Sequence, residues 1–329
     1  MPVPIIDFHN HVYPPDYVKE VEKGPSAYSV TYDDDGNPVL HSPGDYNILV
    51  PGHRLMDVRQ QVIEDAGVDK QIISFTAPGT LIETPDRSVE LSMKINDLYA
   101  EIQQAYPDQF PALATLPLNK PEACAAELER AIDDLGLKGV CLFSNANGVA
   151  LSDECFWPMY EVANELNVVC FIHPTFPAGV EAMEKYMLMP AVGFLMDTTL
   201  ATASLLFSGV VERFPNLRWV LGHLGGAVPY LAERLDRCYE AFPESRAHLS
   251  EHPTTYLKSH FYYDSVNFDV DALAFAIKFA GADHIIAGSD YPHQIGSIPK
   301  MIDSINQLDI SDEDRAGILG DNAAKLLSL

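Results

Sequence analysis

Eight short runs of apolar and β-branched residues recur along the chain, each separated from the next by a longer stretch of helical period, and this alternation admits few folds. The runs are IIDFH (5–9), QIISF (71–75), ALATLP (112–117), GVCLFS (139–144), VVCFIH (168–173), LRWVLGH (217–223), FYYDSV (261–266) and HIIAGSD (284–290). Repeated strand-helix units build a parallel sheet, and eight of them close a (β/α)8 TIM barrel of the α/β class. Between the runs, Leu91, Ile95, Leu98 and Ile102 make one apolar helical stripe, and Leu128, Ile132 and Leu135 make another. Stop signals fall where this scheme needs them: Gly67 ends a helix that begins near Asp57, Gly136 ends one that Pro121 helps start, and Gly281 follows a helix from about Val270. No short repeat or low-complexity linker divides the chain, so residues 1–329 are expected to form a single barrel domain. The one long interruption, residues 12–56, is expected to be an insertion over the catalytic face, with YSVTY and PVL flanking Asp35-Gly36-Asn37 as a small hairpin.

With 47 acidic against 21 basic residues, the chain carries a formal charge of −26, and no Lys/Arg-rich run breaks that field. Such a protein repels phosphate backbones and anionic membrane surfaces, so neither nucleic acid nor membrane is an expected partner. An anionic substrate needs a local positive centre. The N-terminal MPVPIIDFHNHVYPP has neither a basic leader nor an apolar core, so no export signal is read there. The apolar stretch 192–211 is interrupted by Asp197, three threonines and two serines, and reads as a buried helix rather than a membrane span. Five cysteines, Cys124, Cys141, Cys155, Cys170 and Cys238, form no C-x-x-C pair, which fits a reducing cytoplasm; Cys141 and Cys170 lie in strand-like runs as small hydrophobes.

Chemistry concentrates at the ends of the strand runs. Asp7, His9 and His11 make D-x-H-x-H on the first; alternate strand residues share a face, so both imidazoles point the same way. His173 closes the fifth run, His223 the sixth and Asp290 the eighth. A satisfied core histidine is the ordinary reading of any one of these, but the C-terminal strand ends of a barrel converge on one pocket, where all of them become neighbours. Three imidazoles and a carboxylate suit one divalent ion, Zn²⁺ before Mn²⁺, and leave room for substrate.

The chain resembles the amidohydrolase superfamily, and within it the amidohydrolase-2 group typified by aminocarboxymuconate-semialdehyde decarboxylase and γ-resorcylate decarboxylase. The resemblance is carried by D-F-H-N-H at 7–11, F-I-H-P at 171–174, G-V-V-E-R-F-P-N-L-R at 209–218, G-H-L-G-G-A-V-P at 222–229 and G-S-D-Y-P at 288–292. It implies that His9, His11, His173 and Asp290 ligate the metal and that His223 is the catalytic histidine. It also implies a homodimer, in which Arg234, eleven residues after His223, reaches the neighbouring pocket. There are departures. Two-metal members carry a lysine at the end of the fourth strand, where this chain has Phe143-Ser144-Asn145, so one ion is expected. The group's insertion arginine is missing from Pro38-Val39-Leu40-His41, leaving His41 and Arg54 to bind substrate; Arg59 reads as a solvated charge on a helix, and His293 replaces the aromatic that follows D-Y-P.

The activity expected is metal-dependent, non-oxidative decarboxylation of a small aromatic or unsaturated carboxylic acid. An sp² carbon loses CO₂ only after it has been protonated or made tetrahedral, so the site must supply a proton and a charge clamp; His223 would shuttle the proton, and Asp290 would ligate or transfer it. Tyr13, Tyr17, Tyr28, Tyr32 and Tyr46 of the insertion are candidates for an aromatic slot. The rival reading is hydrolysis of a lactone, ester or amide at the same ligands. Weaker rivals are a non-catalytic binding barrel and a serine hydrolase using Ser289, which lacks a G-x-S-x-G elbow.

Overall fold

Each of the eight runs contains a strand in the computed structural model, which describes residues 4–23, 28–42 and 44–329. In chain order the strands are β1 (Ile6–His11), β2 (Ser29–Tyr32), β3 (Pro38–Ser42), β4 (Asp45–Ile48), β5 (Lys70–Ser74), β6 (Ala114–Thr115), β7 (Val140–Phe143), β8 (Asn145–Ala146), β9 (Val149–Ala150), β10 (Val169–His173), β11 (Arg218–Leu221), β12 (Phe261–Asp264) and β13 (Ile285–Ile286). The parallel order runs β6-β7-β10-β11-β12-β13, and β1 pairs with β5. Bridges Ile73–Ala112 and Asn10–Tyr291 join the two sets, and the Phe8 amide donates to Ala287 O at 2.8 Å, which closes the barrel. Its interior is filled by Ile6, Phe8, Ile72, Leu113, Cys141, Val169, Phe171, Val220 and Ile286, with Ala323 and Leu327 of the C-terminal helix packed against them. Inward-facing side chains of this kind make the barrel a packed core rather than a pore.

The helical stripes lie where periodicity puts them. Leu91, Ile95 and Ile102 are buried on the helix Pro85–Ala105, and Gly67 takes the left-handed C-cap of Met56–Ala66 at φ 70°. The helix from Pro121 runs to Glu129 and continues as a π-turn through Asp134 before Gly136.

The insertion contains the hairpin and more. β2 and β3 pair antiparallel, Ser29 opposite His41, about a turn that Asp33 holds by accepting the amides of Asp35 and Asn37. β4, not foreseen, adds a third strand on β3. Residues 24–27 and 43 of the 12–56 segment lie outside the described residues.

The stretch 192–211 meets the expectation of a buried helix only in part: Ala201, Leu205, Leu206, Val210 and Val211 are buried, but the N-terminal half is not apolar inward. The helix Phe194–Phe207 follows a π-turn, Met189–Gly193, and turns its polar residues Asp197, Thr198, Thr199 and Thr202 inward, while Val192, Met196 and Leu200 are 47%, 43% and 59% exposed. The inversion has a local cause. This helix packs on the polar mouth of the barrel, where Asp197 accepts from Ser144 Oγ and from Asn145 Nδ2 (2.9 Å), and Thr199 Oγ1 accepts the Ala227 amide (2.9 Å). Gly226 makes the approach feasible, since a Cβ there would lie 2.1 Å from Leu195 O.

Candidate active site

Strict alternation on β1 would put Asp7 on the same face as the two histidines, and it does not. Asp7 is opposite Gln71 and Asn10 opposite Ile73, so three residues on β1 answer two on β5; this bulge turns Phe8 and His9 both toward Phe171. Asp7 points away from the ligand cluster, accepting from Gln71 Nε2 (2.8 Å), Ser289 N (2.9 Å) and Ser289 Oγ (2.6 Å), and burial raises its carboxyl to about 6. Ser289 is thereby committed to Asp7, which removes it as a nucleophile.

One ligand atom each from His9, His11, His173 and Asp290 lies within 4.8 Å of the others, and all four residues are buried. His9 Nε2 and His11 Nε2 are 3.0 Å apart; Asp290 Oδ1 is 3.2 Å from the second and 3.4 Å from the first, spacings that donors sharing one cation adopt. Hydrogen bonds aim all three rings. His9 Nδ1–H donates to Asp264, and His173 Nδ1–H donates to Pro174 O at 2.9 Å. Ser74 Oγ gives its own proton to Asn10 O, so at 3.2 Å it accepts from His11 Nδ1–H. In every case the lone pair is left on Nε2, facing the cluster, and His173 Nε2 is buried with no partner among the described residues.

Electrostatics point to the same occupant. Burial holds His11 and His173 well below 6.5, hence neutral at pH 7. His9 is the exception: burial disfavours its charged form, but Asp264 outweighs burial and raises its proton affinity. Burial alone would raise Asp290, yet the imidazoles around it, His293 first and then His11, His223 and His9, hold it well below the usual carboxylate range. Asp264 and Asp290 are thus two buried carboxylates, and no Lys or Arg lines the cavity above them among the described residues. A divalent cation fits this donor set and this charge deficit.

That cavity, about 320 Å³, is lined by His173, His223, Asp290 and Thr76 below, by Asp45, Tyr46 and Asn47 of β4 and His293 at the side, and by Met187, Pro190 and Phe194. His223 follows β11 in a left-handed conformation, φ 55°, with Leu224 at φ 56°, and its Nε2 lies 3.8 Å from Asp290 Oδ2. His293 is held by a chain with only one consistent set of protons. Tyr13 OH donates to Ala77 O and accepts from Asn47 Nδ2 (3.0 Å), so Asn47 Oδ1 accepts from His293 Nδ1–H (3.2 Å) and His293 Nε2 is left as an acceptor.

Several expectations need correcting. His41 hydrogen-bonds Thr31 Oγ1 at 2.7 Å within the insertion sheet and does not line the cavity; Arg54 donates to Leu49 O and does not line it either. Arg59, read as a solvated charge, is fully buried, donating to Asn10 Oδ1, Gln71 Oε1, Gly52 O and His11 O and lying over the Tyr291 ring. Of the five tyrosines, Tyr13 and Tyr17 are core, Tyr32 is exposed, Tyr28 lines neighbouring hollows, and Tyr46 borders the main cavity. Arg234 is exposed on the helix Val228–Ala241 and lines no part of this chain's own cavity. Sequence reading missed Asp264, although an aspartate within the seventh run, where β12 ends, could have been weighed as Asp290 was. It also missed Asp45, and His53, which is buried between Tyr13 and His293 with neither ring nitrogen partnered among the described residues.

Comparison with known proteins gives a consistent picture. The chain is 33% identical over 278 residues to 2-amino-3-carboxymuconate-6-semialdehyde decarboxylase of Dictyostelium discoideum, covering 83% of this chain and 76% of that protein. The structure of 5-carboxyvanillate decarboxylase from Sphingomonas paucimobilis shares its fold, with a TM-score of 0.88 at 24% identity over 99% of both chains. Dihydroxybenzoic acid decarboxylase from Polaromonas sp. JS666, solved with bound manganese and the inhibitor 2-nitroresorcinol, aligns at TM-score 0.83 and 25% identity over 99% of this chain and 97% of that one. The sequence model of the amidohydrolase family (Amidohydro_2) matches residues 6–329, from the first barrel strand to the last residue, and the chain therefore belongs to the amidohydrolase family.

Proposed function

We infer that this protein is a metal-dependent, non-oxidative decarboxylase of a small aromatic or unsaturated carboxylic acid. The observation that carries this reading is the convergence of three Nε2 lone pairs and Asp290 beneath a cavity that also holds His223. His9, His11, His173 and Asp290 would hold one ion, zinc by the preference of this donor set, with manganese the competing ion. When bound, such an ion supplies Lewis acidity toward the substrate carboxylate and a neighbouring oxygen.

This chain's residues supply the rest. His223, with Nδ1 buried and unpartnered among the described residues and Nε2 facing Asp290, carries the proton that adds to the ring carbon bearing the carboxylate. That carbon becomes tetrahedral; the bond to the carboxylate then breaks, its electron pair returns to the ring, and CO₂ leaves. Phe194, Met187 and Pro190 exclude water from the acid's apolar face. Since the cavity has no guanidinium of its own, we assign to Arg234 a role in the pocket of a second copy, which makes the working unit a homodimer. The five free cysteines fit work in a reducing cytoplasm.

Mass spectrometry of candidate aromatic acids incubated with the metal-loaded protein tests the reading: loss of CO₂ supports it, whereas gain of water would establish the hydrolase alternative. His223→Ala is expected to retain metal and lose about 10²–10⁴ in rate, while His173→Ala loses metal; the reverse pattern would exchange the two roles.

A further inference from the structure

The insertion puts a carboxylate into the wall of the substrate cavity without giving it a cation. Asp45 and Asn47 lie two apart on β4 and both line the cavity, with Tyr46 between them at its border. The Asp45 carboxylate takes a hydrogen bond from the Tyr46 amide and has no Lys or Arg partner among the described residues. Beside it, Asn47 fixes His293 so that Nε2 is a second acceptor on the same wall. Around these are Met187, Pro190, Phe194 and Ile295, which can satisfy neither acceptor, and Gln294, whose amide lines the cavity without hydrogen-bonding to Asp45 or His293. Among the described residues no side-chain donor is hydrogen-bonded to the Asp45 carboxylate.

We propose that Asp45 determines specificity: the pocket takes acids whose ring carries a hydrogen-bond-donating substituent, a hydroxyl or an amino group, that Asp45 accepts, and it rejects a second carboxylate at that place. The proposal rests on the decarboxylase reading for the class of substrate, an aromatic acid. An acceptor-lined site discriminates strongly because an analogue without the donor leaves a desolvated carboxylate unpaired, while a second carboxylate adds like-charge repulsion in a cavity of low dielectric.

The test uses metal-loaded protein and 2-hydroxybenzoates that carry hydroxyl, methoxy, amino, dimethylamino or carboxylate at the 4- or the 5-position, with dissociation constants measured by calorimetry and CO₂ release followed in parallel. At one of the two positions the hydroxyl acid is expected to bind about 10- to 100-fold tighter than its methoxy partner, or the amino acid tighter than its dimethylamino partner, the range of a hydrogen bond to a charged group. The two pairs report separately which donor is read. The carboxylate-substituted acid should bind at least about tenfold more weakly than the unsubstituted one. Asp45→Leu should abolish the donor preference; Asp45→Asn, which preserves size, should relieve the exclusion of the second carboxylate. Equal binding of each matched pair at both positions, or a preference that survives in both variants, overturns the proposal. Acids that lose CO₂ with discrimination untouched by the Asp45 variants sink this inference alone. Asp45-dependent binding with no CO₂ released from any acid sinks the decarboxylase reading and leaves this one standing.

Discussion

His9 owes its orientation to Asp264, and the same carboxylate accepts the amides of His223 (3.0 Å), Leu224 (2.8 Å) and Val266 (3.0 Å). One side chain therefore aims a ligand and holds the left-handed turn that presents His223. Asp264→Asn is expected to weaken metal binding about 10- to 100-fold, as loss of an orienting carboxylate does, and to lower turnover at saturating metal because the His223 turn loosens. Chelator competition and kcat measured separately check the two effects; unchanged metal affinity would deny Asp264 the first role. Asp45 makes the opposite trade. Burial pushes its carboxyl from 3.8 to about 6, so above pH 6 the folded chain carries a charge it disfavours, and as pH falls from about 6 toward 3.8 both states become protonated and the penalty vanishes. Asp45→Asn should accordingly raise the thermal midpoint at pH 7.5, with a smaller gain at pH 5; scanning calorimetry at the two pH values decides.

Among elements, the first strand shows how far pattern carries. D-x-H-x-H correctly pairs His9 with His11, but the bulge that sends Asp7 elsewhere follows from register against β5, which no spacing within β1 encodes. Arg59 ties three elements together: from the helix Met56–Ala66 it reaches β1 at Asn10 and His11, β5 at Gln71, and the insertion at Gly52. Burial pushes its guanidinium down to about 10, still charged at neutral pH. Arg59→Met keeps the stem but strands those buried acceptors, and by the cost of leaving buried groups unpaired it should destabilise by about 3 kcal/mol or more, read as a lower urea midpoint. A change within about 0.5 kcal/mol would return Arg59 to the solvated surface charge that helical position alone suggests.

The whole molecule carries −26 and must admit an anion. An ion held by the ligand cluster would supply one attraction, partly neutralised by Asp290 and Asp264, and a guanidinium fork is the side chain best suited to supply a second. Arg234 faces solvent on its helix and lines no part of its own cavity, as the shared site proposed above requires. The half-exposed apolar stripe Val192, Met196 and Leu200 offers a surface that a second copy can cover. Mixing Arg234→Ala with His223→Ala subunits, each nearly inactive alone, should restore activity, because some mixed dimers contain one site with both wild-type residues. A monomer in sedimentation, or no recovery after demonstrated subunit exchange, rules the shared site out.

Period and punctuation alone determined the eight strands, the helix stripes, the glycine stops and the hairpin, because these depend on residues within a turn or two of one another. The ligand set was also legible, since barrel topology sends every strand end to one place, His9, His173 and Asp290 each close a run and His11 follows the first by two residues. Tertiary structure alone decided what surrounds them. Asp264 became the partner of His9 across 255 positions, Arg59 went inside because β1, β5 and the insertion present it with carbonyl and amide oxygens, and β4 brought Asp45 to the substrate wall. Burial and partnership of a polar side chain depend on what lies across space from it, and local sequence contains no measure of that distance.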